Sequence, residues 1–225
     1  MADYGHDPTG RYQEHQILNS LLTIPEVAIP WKHFADAGLD ISCATENGKQ
    51  PACDEMMLSG MTEKLLGANA AAKDAYKSVV QASPAFQKPQ AWTSEGFTLD
   101  KFDLVFLPGG HEKSVRQIID SPVVHQLLCS YFPKTQKPSS KSVAAICHGV
   151  QVLAESTFEN GKSILHDVKT TALPSFFEQS IYYATKPFLG SYYKTYGPGT
   201  PSVQEIVTKK LNDPSQFCNS LSQTP

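Results

Sequence analysis

The stretch from Val143 to Leu153 constrains this chain most, because apolar residues run directly into a Cys-His-Gly turn and a helical pattern follows at once. This order predicts a buried strand, a sharp turn and a helix, with the thiol of Cys147 at the turn. A helix N-terminus beside the thiol favours the thiolate, His148 supplies a neighbouring base, and Gly149 permits a tight turn. The alternative is a buried structural cysteine, since free cysteine often packs as a small hydrophobic residue.

Short apolar runs alternate with helical patterns along the rest of the chain. Strands separated by helices favour an α/β fold with a mainly parallel sheet, whereas residues 84–97 read as irregular. The patterns predict helices at residues 25–37, 58–80, 112–119, 122–132 and 149–155, and strands at residues 39–44, 103–107 and 143–146.

A second unusual turn, Pro108-Gly109-Gly110-His111, also follows a predicted strand. Sites in parallel sheets lie at the carboxyl ends of strands, so we expect the two turns to be neighbours. The backbone N–H groups of Gly110 and His148 would then face one oxygen beside the thiol and form an oxyanion hole. The alternative is a flexible loop, because glycine pairs commonly mark turns.

Composition excludes several classes of protein. The 225 residues are 40% hydrophobic and 18% charged, with a net charge of −3 and no long charged run. We therefore expect one domain over residues 1–225 that binds neither nucleic acid nor a membrane. The five cysteines are widely spaced, without a metal-ligand pattern, and the polar start has no signal peptide. These features predict reduced thiols, no metal or organic cofactor, and a cytoplasmic location with the nucleus as the alternative.

Both turns, together with an early helix that carries a glutamate, resemble the ThiJ/PfpI superfamily of class I glutamine amidotransferase-like proteins. The motifs are Ala-x-Cys-His-Gly at residues 145–149 and Leu-Pro-Gly-Gly-His at residues 107–111. The chain is most similar to the fungal-type branch of glutathione-independent glyoxalases and heat-shock chaperones, through residues 2–9, 44–48, 106–112 and 165–178. The resemblance implies a flavodoxin-like three-layer sandwich.

The resemblance also assigns roles to three residues. Cys147 matches the nucleophile, Glu26 matches the acid that hydrogen-bonds the cysteine, and His148 matches an acid or base. Without the resemblance, Glu26 reads equally well as a glutamate that the helix dipole favours in a first turn. His148 alone would read as a solvent-facing histidine at a helix start.

Three further residues are assigned less directly. Glu178 falls where the branch carries the acid that orients the histidine, with Asp167 as its competitor; an exposed surface glutamate is the alternative for Glu178. His111 either lines the pocket or caps a helix.

The chain departs from its relatives at three places. Relatives begin with a hydrophobic strand that would precede Met1, and they continue beyond Ser220 with a strand and a helix, so we expect these elements to be missing. Residues 10–25 interrupt the pattern that joins Thr9 to Glu26. This segment is interpreted as translated intron or another gene-model artefact; the rival is a lid helix, because its apolar residues have roughly helical spacing.

The resemblance implies conversion of a small 2-oxoaldehyde, such as methylglyoxal, to a 2-hydroxy acid without glutathione, the reaction of a glyoxalase III-type lyase. Alternatives are a thiol hydrolase or hydratase that acts on a pathway metabolite, a stress chaperone or redox sensor without catalysis, and an inactive truncated product. The expected partner is a small-molecule substrate, and a homodimer is expected only because relatives are often dimers.

Overall fold

The computed structural model describes residues 24–52 and 69–219. Four of the sequence expectations concern parts of the chain outside these ranges. They are the expectations about the first strand, about residues 10–23, about the predicted helix before residue 69 and about the chain from residue 220 onwards. The helices, in chain order, are α1 (Ile24–Asp36), α2 (Ala70–Ala75, continued by a π-helix at Tyr76–Val80), α3 (Pro84–Gln87), α4 (Arg116–Ile119), α5 (Pro122–Tyr131), α6 (Gly149–Glu155), α7 (Ser175–Leu189) and α8 (Val203–Lys210). Short 3-10 turns lie at Lys113–Val115, Phe132–Thr135 and Pro214–Gln216, and the strands are β1 (Ala44–Thr45), β2 (Gln90–Ala91), β3 (Leu104–Leu107) and β4 (Ser142–Ala145).

Local signals place several helix ends where the sequence predicts them. Ser121 caps α5, where its side chain accepts a hydrogen bond from the N–H of Val124 at 3.3 Å, and Pro122 occupies the first turn. Gly38, at φ 73°, follows α1, and its N–H donates to the carbonyl oxygen of Ala35. Glycine tolerates this left-handed conformation, which is why the helix ends there.

The strands form two parallel pairs, which confirms the predicted α/β class with parallel pairing. β1 pairs with β2, and β3 pairs with β4 in a register that runs from Leu104 opposite Ser142 to Leu107 opposite Ala145. Parallel strands need crossover connections, and helices supply these between the strands.

Two sequence predictions in the first half of the chain need correction. The strand predicted at residues 39–44 is reduced to Ala44–Thr45, and the segment predicted to be irregular contains α3 and β2. β2 exists because Gln90 and Ala91 bond to a distant strand, with the N–H of Gln90 donating to the carbonyl oxygen of Cys43 at 2.8 Å. Such pairing leaves no local periodicity in the sequence.

The apolar core consists of two clusters. The larger one packs α4, α5, α6 and α8 against β3, and the smaller one packs α1 against α2 and α3. Burial of each large aliphatic or aromatic side chain stabilises the fold by about 1.5–3 kcal/mol. Fully buried members include Ile119, Leu128, Tyr131, Val152 and Val207 in the larger cluster, and Ile24, Ala28, Val80 and Phe86 in the smaller one.

An apolar groove of about 680 Å³ lies between the two strand pairs. One wall is formed by residues 39–45, which include the first strand, β1, and the other by β3 and the residues that precede it. Helix α1 lines one side of the groove, and α4 and α5 line the other side. We call this cavity the inter-sheet groove. Its carboxyl end reaches Pro108 and Gly109, next to the turn that carries Cys147.

Candidate active site

Cys147 lies in a strained turn between β4 and α6. Its φ of 53° makes it the one non-glycine residue with positive φ among the described residues. A side chain in this conformation costs about 1–3 kcal/mol, and such strain is concentrated at functional sites. The strand, turn and helix predicted around Cys147 are confirmed, with α6 spanning the predicted residues.

The two glycine-containing turns touch each other, as the sequence predicts. A Cβ placed on Gly149 would overlap the carbonyl oxygen of Leu107, and one on Gly109 would lie 2.6 Å from the Cβ of Cys147. Neither position tolerates a side chain, because backbone atoms fill the space at Gly149, and atoms of Glu26, Cys147 and Ile146 fill it at Gly109. The carboxyl ends of β3 and β4 therefore meet at a single site.

Glu26 reaches this site from the first turn of α1. Its Oε2 would lie 2.5 Å from a Cβ on Gly109, and its carboxyl group hydrogen-bonds the thiol of Cys147. Burial raises the pKa of Cys147 well above its usual value, and the neighbouring Glu26 carboxyl raises it further, whereas the N–H of His148 lowers it. The resting group is therefore a thiol, which corrects the expectation of a thiolate. Desolvation and the neighbouring carboxyl group raise the pKa of the thiol by more than the N-terminal end of the seven-residue helix α6 lowers it.

His148 lies directly beside the thiol. Its Nδ1 lies 3.4 Å from the Sγ of Cys147. Burial lowers the pKa of His148 to about 4, and the positive charge of Lys194 acts in the same direction. The imidazole is therefore neutral at physiological pH and can accept a proton from the thiol. It is buried, so it does not face solvent.

Glu178 is buried in an ion pair. Its Oε1 lies 2.8 Å from the Nζ of Lys194, and its Oε2 accepts a hydrogen bond from the N–H of Val203 at 2.8 Å. Glu178 is thus not an exposed surface residue, while its role in orienting His148 stays a prediction.

Lys194 is the residue near the site that sequence reasoning missed. It lies among tyrosines, 16 positions after Glu178, and no local pattern marks it as buried. The competitor Asp167 bonds the Nδ1 of His166 at 2.7 Å, and its side chain is 74% exposed.

His111 packs in an aromatic cluster behind the glycine turn. Its ring stacks on Tyr193 with the centroids 4.4 Å apart, and its Nε2 is buried without a hydrogen-bond partner among the described residues. Burial, followed by the nearby His148, lowers the pKa of His111 to about 3. The cap of the following 3-10 turn is Glu112, whose side chain accepts from the N–H of Ser114 at 2.6 Å. His111 is therefore not the cap, and its pocket role stays a prediction.

The predicted oxyanion donors also lie at this site. Gly110 is buried and has a φ of 144°, a conformation that side chains rarely adopt. The N–H of His148 donates to the sulfur of Cys147 in the resting site. The joint role of the two N–H groups toward a substrate oxygen stays a prediction.

Neither a metal cluster nor a membrane span is found in the part of the chain that the structure describes. Those residues contain no group of three or more His, Cys, Asp or Glu side chains that could hold a metal ion. Nor do they contain a helix that is both long and apolar enough to cross a membrane.

The fold and the site together define a class: α/β proteins with a cysteine on a strained strand-to-helix turn, an acid from the first helix and a histidine directly after the cysteine. A family model described as ThiJ/PfpI family-like matches residues 22–210, and the chain belongs to that family. The resemblance read from the sequence is confirmed at this level; the fungal-type branch stays a prediction.

Two uncharacterised proteins of Schizosaccharomyces pombe are similar to this chain. One is 27% identical over 199 residues, covering 85% of this chain and 72% of that protein. The other is 28% identical over 173 residues, covering 70% of this chain and 53% of that protein. The chain thus spans about half the length of the second relative.

Solved structures share the fold. The Rapid Encystment Protein of Francisella tularensis has a TM-score of 0.58 at 15% identity, over 92% of this chain and 80% of that one. Glyoxalase III from Candida albicans has a TM-score of 0.53 at 14% identity, over 91% of this chain and 79% of that one. At these identities the likeness concerns the fold, and it confirms the predicted flavodoxin-like α/β architecture.

Proposed function

We propose that this protein is a cysteine-dependent enzyme that converts a small 2-oxoaldehyde, such as methylglyoxal, to a 2-hydroxy acid without glutathione. The observation that carries the proposal is the Cys147 thiol, held between the carboxyl of Glu26 and the imidazole of His148 in a strained turn. Family membership and the fold shared with a glyoxalase III support it.

The first step is addition of the thiol to the aldehyde. The Sγ of Cys147 forms a bond to the aldehyde carbon as its proton passes to the Nδ1 of the neutral His148. The π electrons of the carbonyl move to its oxygen, which then takes the proton back and completes a hemithioacetal. The N–H groups of Gly110 and His148 would stabilise the negative oxygen during this step.

The second step moves a proton between the two substrate carbons. A base, Glu26 or His148, removes the proton from the former aldehyde carbon to give an enediol, and the proton returns to the neighbouring carbon. The first carbon is oxidised to a thioester as the second is reduced to an alcohol, so no external oxidant or reductant is required. Water then hydrolyses the thioester, releasing the hydroxy acid and restoring the thiol.

The test is lactate formation from methylglyoxal in the absence of glutathione. We expect turnover in the full chain and none in Cys147→Ala, while Cys218→Ala, which removes an exposed thiol, serves as the matched control and keeps full activity. Equal rates in Cys147→Ala and the unaltered chain would refute the nucleophile role. Activity on amides or on other carbonyl compounds alone, still lost in Cys147→Ala, would favour the thiol hydrolase or hydratase.

One surface feature favours a second candidate function, that of a stress chaperone. Helix α7 exposes several large apolar side chains, of which Phe176 is 71% exposed, Tyr183 66% and Phe188 72%. Such patches often bind other proteins. If the protein is a chaperone, it should suppress the aggregation of client proteins. This suppression should survive Cys147→Ala and be lost in the double variant Phe176→Ser and Phe188→Ser.

A further inference from the structure

A small cavity borders His148 but not Cys147. Its volume is about 10 Å³, which is close to the minimum for one water molecule and too small for an organic ligand. Its walls come from the start of α6, the first turn of α7, the segment between α7 and α8, and the start of α8. We call this space the His148 cavity.

Four polar side chains that line the His148 cavity are buried, with exposed fractions of no more than 6%. They are His148, Gln151, Glu178 and Lys194. Buried polar groups of this kind require hydrogen-bond partners. A water molecule inside a protein satisfies such groups where the space is polar and offers it about two to four partners.

The hydroxyl groups at the cavity donate their protons elsewhere. Those of Thr195 and Thr200 donate to backbone carbonyl oxygens, the first to that of His111 at 2.8 Å and the second to that of Gly197 at 2.7 Å. The hydroxyl of Tyr196 donates to a carboxylate oxygen on α4's flank. The hydrogen-bonding capacity of the cavity therefore comes mainly from the four buried side chains.

Two of these side chains have capacity that no described residue uses. Within the described ranges, the side-chain amide of Gln151 and the Nε2 of His148 make no hydrogen bond. The Nδ1 of His148 faces the Sγ of Cys147, which does not line the cavity, so the ring edge that carries Nε2 borders it. The amide belongs to a side chain that is only 3% exposed, and it therefore points to a ligand in the cavity.

The other two side chains hold each other in place beside the cavity. The Oε1 of Glu178 accepts a hydrogen bond from the Nζ of Lys194, and its Oε2 accepts one from the N–H of Val203, each at 2.8 Å. Each carboxylate oxygen can accept a second hydrogen bond, and an ammonium group has three donors. The acid is thus fixed by its ion pair, and no described hydrogen bond joins it directly to His148.

We propose that the His148 cavity binds one water molecule, and that Gln151 is a positioning residue that orients His148 through this water. This inference rests on the proposed function, in which His148 takes the thiol proton. The water accepts hydrogen bonds from the Nε2–H of His148 and from the Nζ of Lys194. It donates to the carboxylate of Glu178 and to the amide oxygen of Gln151. The water then makes all four of its hydrogen bonds, and each buried side chain of the cavity gains a partner.

The water matters most while His148 carries the proton of Cys147. The imidazolium has two N–H donors, of which Nδ1–H faces the sulfur and Nε2–H faces the cavity. Without an acceptor there, the charged ring would be buried with an unpaired donor, which is unfavourable. The positive charge of Lys194 lowers the pKa of His148, so the ring readily returns the proton to the substrate oxygen.

The first test is a crystal structure of the full chain at a resolution that shows ordered water. We expect one water within about 3.2 Å of the Nε2 of His148 and of the amide oxygen of Gln151. Gln151→Met, which keeps the size of the side chain but removes the amide, is expected to lose this water. A cavity without ordered water in the unaltered chain, or a Glu178 carboxylate bonded directly to Nε2, would overturn the proposal whether or not the variant folds.

The second test is alkylation of Cys147 by iodoacetamide, followed by mass spectrometry of the cysteine peptides. The Sγ forms a bond to the carbon that bears iodine, iodide leaves, and the thiol proton passes to the Nδ1 of His148. A positioned base contributes about 100-fold or more to such a step, so its misorientation in Gln151→Met should slow the reaction at least about tenfold. Alkylation of the exposed Cys218 is the internal control and should not change. Gln179→Met, at an exposed position of α7, is the matched control and should leave both rates unchanged.

Alkylation needs no 2-oxoaldehyde, so it separates this proposal from the proposed reaction. Equal rates at Cys147 in Gln151→Met and in the unaltered chain would overturn the role of Gln151. Slow alkylation in Gln151→Met, together with no lactate from methylglyoxal in the unaltered chain, would refute the proposed reaction and support the water site. Where lactate forms, Gln151→Met should lower kcat by the same factor and leave KM unchanged, because Gln151 acts through His148 and not on the substrate.

Discussion

Gly109 and Cys147 lie so close together that a Cβ at position 109 would stand 2.6 Å from the Cβ of Cys147. The same atom would lie 2.5 Å from the Oε2 of Glu26. The missing side chain of Gly109 is therefore what allows the acid from α1 and the thiol from the β4–α6 turn to meet.

The first prediction concerns this contact. Gly109→Ala should displace Glu26 or Cys147 and reduce 2-oxoaldehyde turnover at least a hundredfold, because a misplacement of about 1 Å has effects of that size. The measurement is kcat for lactate formation. Gly38→Ala is the control, since its φ is also unfavourable for alanine but nothing lies within 4 Å of the added Cβ. Full activity in Gly109→Ala would show that the close approach is not needed.

The second prediction concerns the buried ion pair. Lys194→Met should destabilise the protein by about 3–5 kcal/mol, because it leaves the carboxylate of Glu178 buried without its cation. Urea unfolding measures this change. Lys32→Met is the control, since the Lys32–Asp36 pair is exposed and pairs of that kind contribute about 0–1 kcal/mol. If Lys194→Met and Lys32→Met cost the same, the pair is not buried in solution.

The third prediction concerns acid stability. Burial lowers the pKa of His148 to about 4 and that of His111 to about 3, against about 6.5 in an unfolded chain. Between these values the unfolded chain binds protons that the native protein does not, so the free energy of unfolding should fall as the pH drops from about 6.5 to 4.

Urea unfolding between pH 7 and pH 4 checks this dependence. Replacing one buried histidine, as in His148→Gln, should reduce the slope of the free energy of unfolding against pH. The part of the slope that His111 contributes should remain. His33→Gln, at an exposed position of α1, should leave the slope as it is. A flat profile in the unaltered chain would contradict the burial of both imidazoles.

The fourth prediction concerns the start of α5. Ser121→Ala removes the side-chain oxygen that accepts the N–H of Val124 and should cost about 0.5–2 kcal/mol of stability. Ser180→Ala, at an exposed position inside α7, should cost nothing, since alanine is the better helix former. Thermal unfolding of the two variants separates these outcomes, and equal stabilities would show that Ser121 is not an effective cap.

Sequence alone determined the local features of this protein. The order of apolar run, Cys-His-Gly and helical pattern identified the turn at Cys147, and Ser121-Pro122 identified the start of α5. Those signals depend on neighbouring residues, so they can be read without a structure. The motifs also indicated the family, because the glycines that the two turns require are part of the pattern.

Tertiary structure decided the rest, because the remaining interactions join residues that are far apart in the chain. β2 exists only through its pairing with β1, and Lys194 became a buried partner of Glu178 only through packing. Tertiary structure also decided the protonation state of Cys147. The sequence showed a helix end that favours the thiolate, but burial and the carboxyl of Glu26 keep the proton on sulfur. Desolvation depends on everything packed around a group, and no local stretch of sequence contains that information.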